Sequence, residues 1–299
     1  MHQPRINCKL AAALLRLMRP HHCVKNLLLL VPLLTSHRFN DALALANELR
    51  AIVAMCLISS AVYIVNDLLD LHSDRMHRTK RFRPLASGAV SRRAAMILAI
   101  VLTLSAGLLA RPMPSSFSHW LIAYCAIAIT YSLWLKRRPV IDVLALATLY
   151  TVRVLLGAAA IAVPLSEWLL VFALTLFPGL ALLKRYVELN DAVRTAADVG
   201  PGRGYRLSDR RTIGRFGVAS GCLATLVLVF YANSAAVAIN YSAPWLLWAL
   251  APLLTFWLGR AWFAAFRSKM HDDPIVYALR DPASYVVVTA MVGVTWFAL

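Results

Sequence analysis

The chain has 299 residues, 60% of them hydrophobic, with a mean hydropathy of +0.66 and a formal net charge of +17. Soluble domains carry roughly 45–50% apolar residues, so the composition excludes a soluble protein and predicts an all-α, multi-pass membrane protein. The basic excess does not indicate nucleic acid, because its distribution along the chain follows the membrane.

The first apolar patch contains Arg16 and Arg19 and has no small-residue cleavage site, so no removable signal is expected there. The string RPHHCVKN follows, and its Lys25 and Asn26 stand just where the first span begins. They either reach a substrate cavity or, for Lys25, simply set topology. Apolar runs long enough for the roughly 20 residues of a bilayer crossing begin near positions 24, 48, 95, 118, 139, 166, 213, 243 and 282. Nine spans leave no room for a separate soluble domain, so residues 1–299 are read as one membrane domain.

With the N-terminus in the cytoplasm, Lys and Arg fall in five cytoplasmic groups that hold 27 of the 31 basic residues. The opposite side has Arg38, Arg50 and Arg111, and Arg153 lies inside a span. This asymmetry is the positive-inside pattern, and it puts the C-terminus on the far side of the plasma (inner) membrane. Most of the charge thus serves topology and anionic lipid, and the rest is available to substrate phosphates. Cys8, Cys23, Cys56, Cys125 and Cys222 are scattered without a CxxC pair, which argues against zinc or a disulfide framework.

The second span ends in the stretch Tyr63 to Gly88, YIVNDLLDLHSDRMHRTKRFRPLASG. Asp67, Asp70 and Asp74 stand at i, i+3 and i+7, one face of a helix, beside Asn66. Three carboxylates so placed repel one another unless a cation joins them, and an all-oxygen set suits Mg²⁺ with substrate phosphate completing its shell. The basic residues beyond, Arg78, Lys80 and Arg83 among them, suit phosphate. A solvated helix end paired to Arg75, Arg78 and Lys80 would account for the same residues. His72 and His77 lack zinc spacing and read as loop residues within reach of phosphate.

The fifth span carries Asp142 near its start, where Lys136 or Arg138 can pair with it, and Arg153 within LYTVRVLLG. An arginine with apolar neighbours on both sides is expected to face a cavity or an anionic group, either a phosphate or an aspartate. The sixth span runs into LLKRYVELND. Lys184 and Arg185 suit phosphate oxygens, and Glu188, with Asp191 as its alternative, suits a metal; a plain Lys184–Glu188 helix salt bridge is the competing reading. Beyond it, GPGRGYR at Gly200 to Arg206 reads as a turn and not a dinucleotide fingerprint. The two polar loops, about 68–93 and 184–215, are four spans apart and suggest a weak internal repeat whose helix ends face one cytoplasmic cavity.

NDLLDLHSD followed by RPLASG resembles the first aspartate-rich motif of the UbiA-type intramembrane prenyltransferase superfamily, over the whole chain. The resemblance implies nine helices around a cytoplasm-facing cavity, and Mg²⁺ held by Asn66, Asp67, Asp70 and Asp74, with Tyr63 at the substrate. RPHHCVKN, the extended DRMHRTKRFRPLASG and KRYVEL are similar to the phosphoribosyltransferase branch of that superfamily. KRYVEL departs from the superfamily's usual second DxxxD motif. That branch implies phosphoribosyl diphosphate as donor and a polyprenyl phosphate lipid as acceptor, feeding lipid-linked arabinose synthesis; an assembly of like chains is compatible with it. Two alternatives stay open: transfer of a prenyl group from its diphosphate to a small acceptor, and an ion-coupled transporter, although transporter sites usually sit at the bilayer midplane.

Overall fold

The computed structural model describes residues 4–77, 79–195, 204–270 and 273–299, and every regular element among them is helical. Seven of these helices are long and apolar enough to cross a membrane, and an eighth crossing is reached if a bent pair near the C-terminus counts as one. Among the described residues these helices leave the expected count of nine unconfirmed. After α1 (Pro4–Met18), Pro20–Leu29 forms a 3-10 helix, and only Leu30–Thr35 (α2) is α-helical. Pro32 explains the break. Proline is tolerated in the first turn of a helix starting at Leu30, but inside one running from residue 20 it would remove a hydrogen bond and clash with the carbonyl four residues back.

The described chain divides into two compact units, Met1–Leu133 with Val152–Leu165, and Trp134–Thr151 with Ser166–Leu299. The first contains α1, α2, α3 (Ala42–Leu69), α4 (Leu71–Met76), α5 (Arg92–Ala110), α6 (Ser115–Leu133) and the later part of α7 (Ile141–Ala160). Asp41 starts α3 by accepting hydrogen bonds from the N–H groups of Leu43 and Ala44, both at 3.0 Å. α3 packs along α5, and alanines at 61 on one helix and 95 and 99 on the other let the backbones approach closely. Gly157 of α7 touches the 3-10 segment so tightly that a Cβ would lie 2.1 Å from the Leu29 carbonyl oxygen.

The second unit contains the start of α7, then α8 (Glu167–Thr195), α9 (Arg210–Ala232), α10 (Ala235–Asn240), α11 (Leu250–Phe266), α12 (Pro274–Arg280) and α13 (Pro282–Ala298). α9 packs on both α8 and α11. Its Gly217 makes this approach feasible, since a Cβ there would be 2.2 Å from the Trp262 ring. α12 and α13 form the bent pair, turning through 90° at Asp281, where Pro282 cannot extend α12 and Asp281 caps α13.

α3 has 28 residues and α8 has 29, each about 42 Å long at 1.5 Å per residue, against a hydrocarbon core of about 30 Å. α3 carries Asn66 and Asp67 in its last turns, and α8 carries KRYVEL in its C-terminal half.

Candidate active site

In the first unit α3 ends at Leu69, and Asp70 occupies the junction with α4, its N–H donating to the Asn66 carbonyl at 2.9 Å. The three aspartates are therefore not on one uninterrupted helix face. Asp67 closes α3, Asp74 lies in α4, and both are buried. They meet at Arg83, whose Nη1 is 3.1 Å from Asp67 Oδ1 and 2.6 Å from Asp74 Oδ2. Arg19 adds a second cation, with Nη2 2.6 Å from Asp67 Oδ1 and its guanidinium 5.3 Å from the centre of the Tyr63 ring. That ring also packs on His22 at 5.0 Å. Asp67 is thus partnered by Arg19 and Arg83, and Asp74 by Arg83.

Asn66 and Asp70 are half-buried, while Lys80 and His72 are exposed. Arg78 lies outside the described residues. His77 Nδ1 accepts the N–H of Thr79 at 3.2 Å and so shapes its own turn. Lys25 and Asn26 are buried on the 3-10 segment. Arg153 is buried as well: its Nε donates to Asn26 Oδ1 at 3.1 Å and its Nη2 to the Tyr124 hydroxyl at 2.8 Å, with the guanidinium 4.9 Å from the Tyr124 ring centre. It secures Asn26 and the segment that carries Lys25.

The second unit rearranges the pairings read from the sequence. Arg185 is 1% exposed and its Nε lies 2.5 Å from Asp142 Oδ2, which is fully buried. Asp142 therefore pairs with Arg185 across helices and not with its sequence neighbours Lys136 or Arg138. Arg185 also pairs with Glu188, one turn along α8, where the competing reading had a Lys184–Glu188 bridge. Lys184 Nζ instead lies 2.9 Å from Asp273 Oδ2, the residue that caps α12. Tyr205 completes the network by donating its hydroxyl proton to Asp142 Oδ1 at 2.5 Å while accepting the Val140 N–H at 2.9 Å. Burial first, then the bond to Asp142, raises the Tyr205 phenol pKa and keeps it a donor. Gly204 fits closely beside it, since a Cβ would lie 2.8 Å from Pro139. Asp191 is half-buried in α8, and Gly200–Arg203 of the GPGRGYR turn lie outside the described residues.

The sequence reading missed Arg19, Tyr205 and Asp273 and misassigned Asp142. Arg19 carried a signal, since it opens the RPHHCVKN string; Tyr205 and Asp273 lie 63 and 89 residues from their partners.

No group of three or more His, Cys, Asp or Glu side chains among the described residues has metal-ligand geometry. Two carboxylates nevertheless converge on one point of positive charge, the Arg83 Nη1, from two different helices. A pair of oxygen donors aimed at one cationic position suits a hard divalent ion with phosphate as its remaining ligand. The Asp67–Asp74 pair accordingly fits Mg²⁺.

A decaprenyl-phosphate phosphoribosyltransferase from Mycobacterium tuberculosis is 34% identical over 203 residues, covering 66% of each chain. The nodulation protein NoeC of Azorhizobium caulinodans is 33% identical over 91% of this chain and 89% of its own. An uncharacterized protein, y4nM, of Sinorhizobium fredii is 35% identical over 90% of this chain, which spans only 52% of that protein's length. Among solved structures, a UbiA homologue from Archaeoglobus fulgidus bound to GPP and Mg²⁺ superposes with a TM-score of 0.71 at 15% identity, over 95% of this chain and 99% of that one. This likeness shows a shared fold. The family model of the UbiA prenyltransferases matches residues 33–280, the span from α2 to α12 that holds both charged motifs, and the chain is a member of that family.

Proposed function

We propose that this membrane transferase moves 5-phosphoribose from phosphoribosyl diphosphate to a polyprenyl phosphate and releases diphosphate, with its site on the cytoplasmic face. The observation that carries the reading is the second motif. KRYVEL holds the partly exposed Lys184 where the family's usual second motif is acidic, which suits a donor bearing an additional phosphate. The mycobacterial relative named for this activity supports it.

In the reaction a lipid phosphate oxygen forms a bond to C1 of the ribose as the C1–O bond to diphosphate breaks, and the bonding pair leaves with the diphosphate. The transition state has oxocarbenium character, as in other glycosyl chemistry. The acceptor is already anionic at neutral pH, so the protein needs no strong general base. Mg²⁺ would be held by Asp67 and Asp74, with Asn66 of the last turns of α3 and Asp70 of the α3–α4 junction as further oxygen donors, and would neutralise the charge that develops on the departing diphosphate. Arg83 and Lys80 bind donor phosphate oxygens, and Arg83 is already held at the carboxylates that define the position. Lys184, partly exposed on α8, is a cationic group of the second unit suited to phosphate oxygens. Lys25 binds the lipid phosphate, and Arg153 fixes its segment through Asn26. Arg185 is buried between two carboxylates and acts as a positioning residue for Glu188.

The purified full chain, given labelled phosphoribosyl diphosphate, polyprenyl phosphate and Mg²⁺, is expected to transfer label into the organic-extractable fraction. EDTA should abolish the transfer, and excess Mg²⁺ should restore it. Label that stays wholly water-soluble in an active preparation would rule the reading out.

A further inference from the structure

α9 opens with Arg210 and Arg211 and presents Arg215 one turn later, and these three side chains rim a cleft of about 590 Å³ in the second unit. The floor is aromatic. Tyr186 of α8 and Phe266 of α11 meet edge to face with ring centres 5.2 Å apart. Gly214 keeps the floor low, since a Cβ there would come within 3.3 Å of the Tyr186 ring and 3.6 Å of Phe266. Val218 and Ala219, both exposed, continue the lining farther along the span.

The rim is built as well as charged. Arg210 Nη1 donates to Asn190 Oδ1 at 2.9 Å. Asn190, 8% exposed, is itself fixed by donating to Ser268 Oγ at 2.7 Å and to the Ala265 carbonyl at 3.3 Å. No Asp or Glu lines the cleft, and among the described residues Arg211 and Arg215 have no carboxylate partner.

Arginine's planar fork of donors matches phosphate oxygens. From Arg211 to Ala219 the helix rises about 12 Å, more than the roughly 5–8 Å depth of one headgroup layer, so the cleft spans both headgroup and first acyl methylenes. It lies on the surface of a membrane-crossing helix whose neighbouring Phe216 and Leu223 are exposed and apolar. An open surface cleft gives modest affinity, which suffices for a ligand as abundant as the bilayer itself.

We infer that this cleft binds an anionic bilayer phospholipid of the phosphatidylglycerol type, with its phosphodiester on Arg210, Arg211 and Arg215 and its chain against Val218, Ala219 and Phe266. The lipid links the ends of α8, α9 and α11, and α8 is the helix that carries KRYVEL. The site is independent of the transfer reaction proposed above.

Native mass spectrometry of the full chain in detergent, titrated with phosphatidylglycerol, tests this. Wild type should retain phosphatidylglycerol in preference to phosphatidylcholine, and Arg211→Gln with Arg215→Gln should weaken binding roughly thirtyfold, the product of two near-surface charges. Ala219→Trp, which fills the cleft without changing charge, should weaken it too, and it decides the matter if the arginine variant does not fold. Arg92→Gln with Arg93→Gln, an equal loss of charge from exposed positions at the start of α5, should leave binding unchanged. Equal retention in all variants, equal loss in the α5 variant, or phosphatidylcholine binding as tightly would overturn the site. Displacement of phosphatidylglycerol by inorganic phosphate or by polyprenyl phosphate at equal concentration would overturn the choice of ligand.

Discussion

Asp67→Asn is expected to lower transferase activity by a factor of about a hundred or more while leaving the protein folded. The substitution preserves shape, and the amide oxygen still accepts hydrogen bonds from Arg19 and Arg83, which lie 2.6 and 3.1 Å from Asp67 Oδ1. What it removes is a negative charge at 2% exposure on the last turn of α3. A carboxylate that holds a divalent ion against a departing diphosphate contributes several kcal/mol to the transition state, and each 1.36 kcal/mol is tenfold in rate. Asp74→Asn should act in the same sense, because it shares Arg83 with Asp67. The check is a rate measured beside a melting curve. Activity near wild type in a well-folded Asp67→Asn variant would move the metal away from this pair.

Arg185→Met is the second large effect, and it falls on stability. Arg185 and Asp142 are 1% and 0% exposed, and removing one partner leaves the other as an uncompensated buried charge. Such losses cost about 3–5 kcal/mol, whereas removing both charges of a buried pair costs much less. For a chain of this size that corresponds to a fall in melting midpoint of roughly 6–15 °C. Adding Asp142→Asn should recover at least half of it, since the amide oxygen still accepts the Tyr205 hydroxyl. A melting midpoint unchanged in Arg185→Met, or a double variant no more stable than the single one, would contradict the pairing.

Particular residues show how far the sequence could be read. The acidic motif at the end of α3 was legible because its spacing is local, and the apolar helices because each is one continuous run. The family follows from the same motif. The break at Leu30 was less visible, since LLLLVPLLT is apolar throughout and only Pro32 argues against one helix from residue 20. Partner choice was the least legible. Local spacing pointed from Asp142 to Lys136 or Arg138 and from Lys184 to Glu188, but the folded chain joins Asp142 to Arg185 and Lys184 to Asp273. A buried carboxylate needs a partner that is buried beside it, and only tertiary packing supplies one. Arg83 was read as a phosphate ligand, and its position between Asp67 and Asp74 adds a second role, neutralising the two carboxylates whose convergence defines the site.

The phosphoribosyl reading and the conventional prenyl reading share the family, the fold and the acidic motif, and they differ in which diphosphate is cleaved. The decisive measurement gives one purified preparation both donors in parallel: labelled phosphoribosyl diphosphate with polyprenyl phosphate, and labelled polyprenyl diphosphate with a small aromatic acceptor. Mg²⁺-dependent label in polyprenyl-phosphoryl phosphoribose, with none in a prenylated acceptor, is the predicted result. Transfer from polyprenyl diphosphate alone, with no labelled phosphoribosyl lipid, would contradict it.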